Sequence, residues 1–193
     1  MSLPTRKIGK DSVTAIGYEA MGISAFYGKT LPDEERFKFL DTLYESGCTN
    51  WDTANVYLDS EELIGRRFPG QTSPDDFEEG DFRRVVPRYS KENFPNILKL
   101  ADGLKAIGER HGATAGQIAL AWLLCQGEDV IPIPGTTKVK NLQENLGAAS
   151  IELTQDEIVE IRALAEKSDA VQGARYPPGM DDYLCLDTPP LQR

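Results

Sequence analysis

Apolar residues recur along this chain in two rhythms, and a break between the rhythms divides it. From Ile8 to Ile23, short apolar runs are interrupted by Gly9, Gly17 and Gly22, which predicts one or two strands with turns. Thr30 to Glu35 then sets Pro32 and the acids Asp33, Glu34 and Glu35 at a helix start. Phe37, Leu40, Leu43 and Tyr44 follow at helical spacing, with Gly47 as the stop. Cys48 to Ala54 is short, and Thr49 and Trp51 favour a strand. Asp59 to Glu62 can cap a short helix through Leu63 and Ile64. A β-α-β-α order over the first 66 residues is the pattern of a parallel sheet.

From Pro69 to Pro87 neither rhythm holds. Gly70, Pro74, Gly80 and the acids Asp75, Asp76, Glu78, Glu79 and Asp81 predict a solvated loop of about twenty residues. Helical spacing returns with Phe94, Ile97, Leu98, Ala101, Leu104 and Ile107, opened by Ser90 or Asn93; Pro95 favours the later start. Thr114 and Gln117 form a capping box ahead of Ile118, Ala121, Trp122 and Cys125, ended by Gly127. Val130 to Ile133 reads as a short buried strand, followed by a helix through Leu142 and Leu146. Thr154 and Glu157 make a second capping box, leading Ile158, Ile161 and Leu164. The prolines after Ser168 predict an irregular tail.

Composition narrows the class. With 193 residues, 40% of them hydrophobic, the chain can bury a core as one domain. Its expected parts are 1–68, a junction loop 69–89, 90–166 and a tail 167–193. A net charge of −10, with Lys and Arg scattered, argues against nucleic acid as a partner. The longest apolar run, Ile118 to Cys125, is too short to span a bilayer, and the first residues show no apolar leader. Three widely spaced cysteines, Cys48, Cys125 and Cys185, suit reduced thiols, so a cytoplasmic location without a membrane is expected. The single histidine, His111, rules out any site that needs two, and its place before the Thr114 cap predicts an exposed helix end.

Two segments carry candidate chemistry. In Thr49 to Tyr57, Asp52 ends a predicted strand and Tyr57 lies in the loop after it, where parallel α/β barrels place catalytic groups. Alternatively, Asp52 caps the next turn and Tyr57 packs at a rim. In Pro134 to Lys138, joined to Asn141, Glu144 and Asn145, backbone amides, hydroxyls and a lysine at a helix N-terminus suit a phosphate. An ordinary strand-helix turn with a surface lysine would look the same.

The Thr49–Tyr57 segment, with Ser60 to Gly65 after it, resembles the aldo-keto reductase signature. The resemblance extends to Gly22, Ile23 and Ser24, to Gly80 to Arg84 with Pro87 to Tyr89, and to Thr114 through Gly147. It is similar to the fungal and bacterial branch that includes pyridoxal-reductase-like enzymes. The resemblance implies an α/β fold of the (β/α)₈ TIM-barrel type and an NADP-linked oxidoreductase that reduces a small carbonyl compound to an alcohol. It implies Asp52 and Tyr57 as catalytic residues. It also implies contacts to NADPH/NADP from Gly22, Ile23, Ser24 and Asp52, from Gly135, Thr136, Thr137 and Lys138 at the 2′-phosphate, and from Asn141, Glu144 and Asn145 near the adenine.

The sequence departs from that pattern in its middle. Such a barrel typically needs about 250 residues, and only three of its strands are legible here. They are the strand before Gly22, Thr49 to Ala54, and Val130 to Ile133, with Gly22, Asp52 and Pro134 expected at the same ends. The family's lysine has no counterpart, since no lysine lies between Lys38 and Lys91, and its histidine is also absent. An incomplete barrel is therefore expected, able to form a homodimer by pairing open sheet edges. A remnant that binds nucleotide without turnover is the alternative to a working reductase.

Overall fold

The computed structural model describes residues 3–24, 26, 30–54, 57 and 85–180. Strands β1 (Thr5–Ile8) and β2 (Asp11–Thr14) form an antiparallel hairpin, with Thr5 opposite Thr14 and Ile8 opposite Asp11. The hairpin is anchored through Arg6. Its guanidinium donates to the carbonyls of Leu124 and Gly127, each at 2.7 Å, and to that of Val130. Leu124 is the last residue of a helix, α3 below, where a cation is electrostatically favoured.

Past the hairpin the chain enters the sheet that carries the site. Strand β3 (Tyr18–Glu19) pairs in parallel with β4 (Trp51–Asp52), Tyr18 opposite Trp51 and Glu19 opposite Asp52. The Tyr18 amide donates to the Asn50 carbonyl at 2.8 Å, and the Ala20 amide to that of Asp52 at 2.7 Å. Only glycine fits at position 17, because a Cβ there would lie 2.7 Å from the Asn50 carbonyl oxygen.

On the other edge of β3 the 130s segment runs alongside in the same direction. The Gly17 amide donates to the Pro132 carbonyl at 2.9 Å, while Gly135 lies against Glu19. Val130 to Ile133 is half-buried and extended but forms no strand ladder, contrary to the expectation from its apolar run. Pro132 has no N–H to give, and Pro134 repeats the defect two residues on. The expected order is otherwise kept: Asp52 and Pro134 stand at the same ends as the turn that holds Gly22.

Helix α1 (Asp33–Glu45) begins after Pro32 with three acids in its first turn, and Gly47 ends it at φ 78°. Its inward stripe is Arg36, Phe39 and Leu43, whereas Phe37 and Tyr44 are 53% and 76% exposed. Apolar residues occupy both faces of this helix, so spacing alone could not choose the stripe. Phe39 meets Tyr18 with ring centroids 5.6 Å apart. Around that pair lies one core, with Ile16, Ile23, Cys48, Leu142 and Leu146.

The buried residues of the second core all come from helices. It joins α2 (Phe94–His111), α3 (Ala115–Leu124) and α5 (Gln155–Ser168) through Leu104, Ile107, Ile118 and Ile161. Both expected capping boxes form, Thr114 with Gln117 and Thr154 with Glu157. Pro95 lies in the first turn of α2, and Gly112 closes that helix in the left-handed conformation. Helix α4 (Val139–Gly147) bridges the cores, with Leu142 and Leu146 turned to the first.

His111 ends α2 as expected but is not exposed. Its Nε2 donates to the Glu157 carboxylate at 2.8 Å, and its side chain is 22% accessible. The expected helix at 59–64, the acidic loop up to residue 84 and Cys185 lie outside the described residues.

Candidate functional site

Alternation along β3 decides which groups face the site. Tyr18 turns toward α1 and is buried; its hydroxyl donates to the Thr136 carbonyl at 2.7 Å, and burial keeps the phenol neutral. Neighbouring residues of a strand point to opposite faces, so Glu19 points the other way, away from the helices. Asp52 is its in-register partner, and paired residues of parallel strands share a face.

Tyr57 completes the cluster. Its amide donates to the Ala54 carbonyl at 2.9 Å, and its ring is half-buried. Burial raises the Tyr57 pKa above the ordinary phenol value, and the charges of Glu19 and Asp52, with Tyr176, raise it further. Glu19 itself is pushed up by burial and then by the Asp52 charge. Two carboxylates thus oppose the phenolate, and among the described residues no cation pairs with either of them.

Sequence reasoning named Asp52 and Tyr57 and did not name Glu19 and Tyr176, whose charges act on the same phenol. Glu19 could have been found by asking what lies one strand over from Asp52. Tyr176 belongs to an irregular tail whose path no periodicity reports. That path is fixed near Arg88, whose amide donates to the Ala174 carbonyl at 3.2 Å.

The predicted cofactor residues take different places. Gly22 and Ile23 lie in the 3₁₀ turn Met21–Ile23, with the Ile23 side chain inside the first core. Ser24 is buried, and Arg36 Nη1 reaches its hydroxyl at 3.5 Å. Any contact from Ile23 to a ligand would therefore come from its backbone.

Gly135 to Lys138 leads into α4. Gly135 is exposed, and a Cβ on it would lie 3.4 Å from Glu19 Oε2. Thr136 is fully buried, and its hydroxyl accepts from the Lys138 amide at 3.1 Å. The Thr137 hydroxyl oxygen is buried without a hydrogen-bond partner among the described residues. Asn141 is buried, Asn145 half-buried. Glu144 accepts from the Thr114 hydroxyl at 2.8 Å, and its carbonyl accepts from Gln117 at 3.0 Å, so it ties α4 to α3.

This N-terminus is open to an anion. Lys138 stands at the cap with no side-chain cap bond, and the Asn141 and Leu142 amides return to its carbonyl. The Val139 and Lys140 amides make no hydrogen bond among the described residues. Unfilled first-turn amides, the positive end of the helix dipole and the exposed Lys138 and Lys140 suit a phosphate. Among the described residues no cluster of His, Cys, Asp or Glu could hold a metal, and no helix is long and apolar enough to cross a membrane.

Parallel strands with helices packed on one face, an acid and a phenol at the strand ends and an anion-fitting helix after the 130s define an α/β-barrel protein. The barrel is incomplete. The chain belongs to the aldo/keto reductase family, whose model matches residues 16–79 and 69–166.

It is 31% identical to aldo-keto reductase str7 of Strobilurus tenacellus, across 88% of this chain and 94% of that protein. That alignment has 315 positions against 193 residues here, so more than a third of them face no residue of this chain. It is 49% identical to aldo-keto reductase yakc [NADP(+)] of Schizosaccharomyces pombe over 67% of this chain and 38% of that protein. It is 42% identical to probable aldo-keto reductase 1 of Glycine max, over 55% of this chain and 31% of that one. The matched parts thus span well under half of these last two. The solved thermostable aldo-keto reductase Tm1743, crystallised with the inhibitor epalrestat, matches with a TM-score of 0.57 over 84% of this chain. At 19% identity that likeness shows the fold alone.

Proposed function

We propose that this chain binds NADPH through the α4 N-terminus and directs it at a small carbonyl compound held by Tyr57, reducing the carbonyl to an alcohol. The observation that carries this reading is the open helix start at Val139 and Lys140 beside Lys138, one segment away from the Asp52–Tyr57 strand end. Bound NADPH supplies a hydride to the carbonyl carbon. Tyr57 supplies the proton to the oxygen, so the products are the alcohol and the oxidised nucleotide. Gly135 to Lys138 would hold the phosphate, and the amides of Val139 and Lys140 would neutralise it.

A second reading, nucleotide binding without turnover, is favoured by one observation. A general acid is worth about 10²–10⁴-fold only when its pKa lies near the operating pH, and burial, followed by both carboxylates, pushes Tyr57 the other way.

Titration of the protein with NADPH and NADH, following Trp51 and Trp122 fluorescence, tests the shared part. Lys138→Ala should weaken NADPH roughly tenfold or more, as expected for loss of one charge-assisted contact of about 1.5–3 kcal/mol, and leave NADH nearly unchanged. Equal loss for both nucleotides would count against the site. Loss of nicotinamide absorbance with an aromatic aldehyde then separates the readings. A rate above that of Tyr57→Phe supports the reductase, and an equal rate supports binding alone.

A further inference from the structure

Glu19 is, among the described residues, the carboxylate at the site that neither the family signature nor the phosphate-binding loop accounts for. It stands in register with Asp52 on the same face of the sheet, and Gly135 approaches its carboxylate from the other side. It is half-buried and, among the described residues, has no hydrogen bond or ion pair. Placing a carboxylate there without a partner is unfavourable unless something positive meets it.

We propose that Glu19 sets the redox preference of the bound nucleotide, favouring the oxidised nicotinamide, whose ring is cationic, over the neutral reduced ring. The inference rests on the NADPH reading above. A hydride passes only between atoms in near contact, about 3–3.5 Å apart. The ring that gains positive charge must therefore stand against the carbonyl that Tyr57 holds. Tyr57 is the group on which the charges of both Glu19 and Asp52 act. The ring thus changes charge beside two carboxylates, with no cation among the described residues to screen them. Oxidation of the nucleotide is stabilised, and the reduced form becomes the stronger hydride donor. Asp52 belongs to the signature of the family, whereas Glu19 adds a second charge in this chain.

Unit charges about 8 Å apart at an effective dielectric near 20 shift a binding ratio by roughly thirtyfold, and solvent screening lowers that to about three- to thirtyfold. Dissociation constants for NADP+ and NADPH, measured by tryptophan fluorescence at pH 8, test the proposal. Glu19→Gln should weaken NADP+ by about three- to thirtyfold relative to NADPH, while Glu19→Asp keeps the ratio within about twofold. If both nucleotides bind and Glu19→Gln leaves their ratio unchanged, the proposal is overturned and the nucleotide site stands. If neither binds, both readings fall. Should circular dichroism show Glu19→Gln unfolded, Glu19→Ala is read in the same way, and an unchanged ratio there overturns the proposal.

Discussion

Tyr18 in the sheet half and Ile118 in the helical half are both almost completely buried, yet the two surroundings are built differently. Around Ile118, three helices carry their own start and stop signals, and the core is made where their stripes meet. Around Tyr18, the strands are two residues long, and order comes from distant partners: Asn50 and Asp52 on one edge, Pro132 and Thr136 on the other. Local hydrogen bonds specify the first region, long-range ones the second. The site is built on the second. The candidate site thus rests on the part of the chain with the least local support, and the helical half serves as its buttress.

The strongest way to break that comparison is to remove the buttress. Ile118→Ala opens a cavity in a site with no exposed surface, and such truncations cost about 2–5 kcal/mol. Thermal unfolding should move down by many degrees. A loss under about 1 kcal/mol would show that the helices stand without this core.

The same contrast explains what could be read from the sequence. Thr114 with Gln117 and Thr154 with Glu157 are local signals, and both helices start where those residues put them. Asp52 was legible because it ends a strand within a recognisable motif. Val130 to Ile133 misled because an apolar run reports burial, while Pro132 decides whether a ladder can form. Phe37 and Tyr44 misled because α1 has two apolar faces, and residues contributed by other segments, Tyr18 among them, select the one bearing Phe39. Glu19 was invisible for a related reason. Its meaning comes from pairing with Asp52, 33 positions further along the chain, and no local pattern carries that.

A smaller effect tests how the two halves are joined. Arg6 belongs to the hairpin beside the sheet, yet it donates to Leu124 at the end of α3, to Gly127 past it and to Val130 at the start of the site-bearing segment. Hydrogen bonds from a charged donor contribute about 1.5–3 kcal/mol. Arg6→Ala should therefore cost about 2–3 kcal/mol, measured by urea unfolding. Arg6→Lys should recover only part of it, because one ammonium cannot span the three carbonyls as a planar fork does. Full recovery by lysine would mean that charge at the end of α3, and not the fork, joins the halves.

The smallest effect lies wholly inside the helical half, where Glu157 serves two helices at once. It accepts from the Thr154 amide at the start of α5 and from His111 at the end of α2. The Thr154 amide first, and then His111, lower its pKa from 4.5 to about 2. A carboxyl that is more acidic folded than unfolded stabilises the protein above its unfolded value. That stabilisation fades as pH falls below 4.5 and is mostly gone near pH 2. Glu157→Gln keeps the shape but cannot ionise, so it should cost about 0.5–1 kcal/mol at neutral pH. The gap between the two proteins in urea midpoint should then close as pH drops from 4.5 toward 2. A gap that stays constant over that interval would assign the contribution of Glu157 to packing, leaving the capping box and the His111 contact as geometry without electrostatic weight.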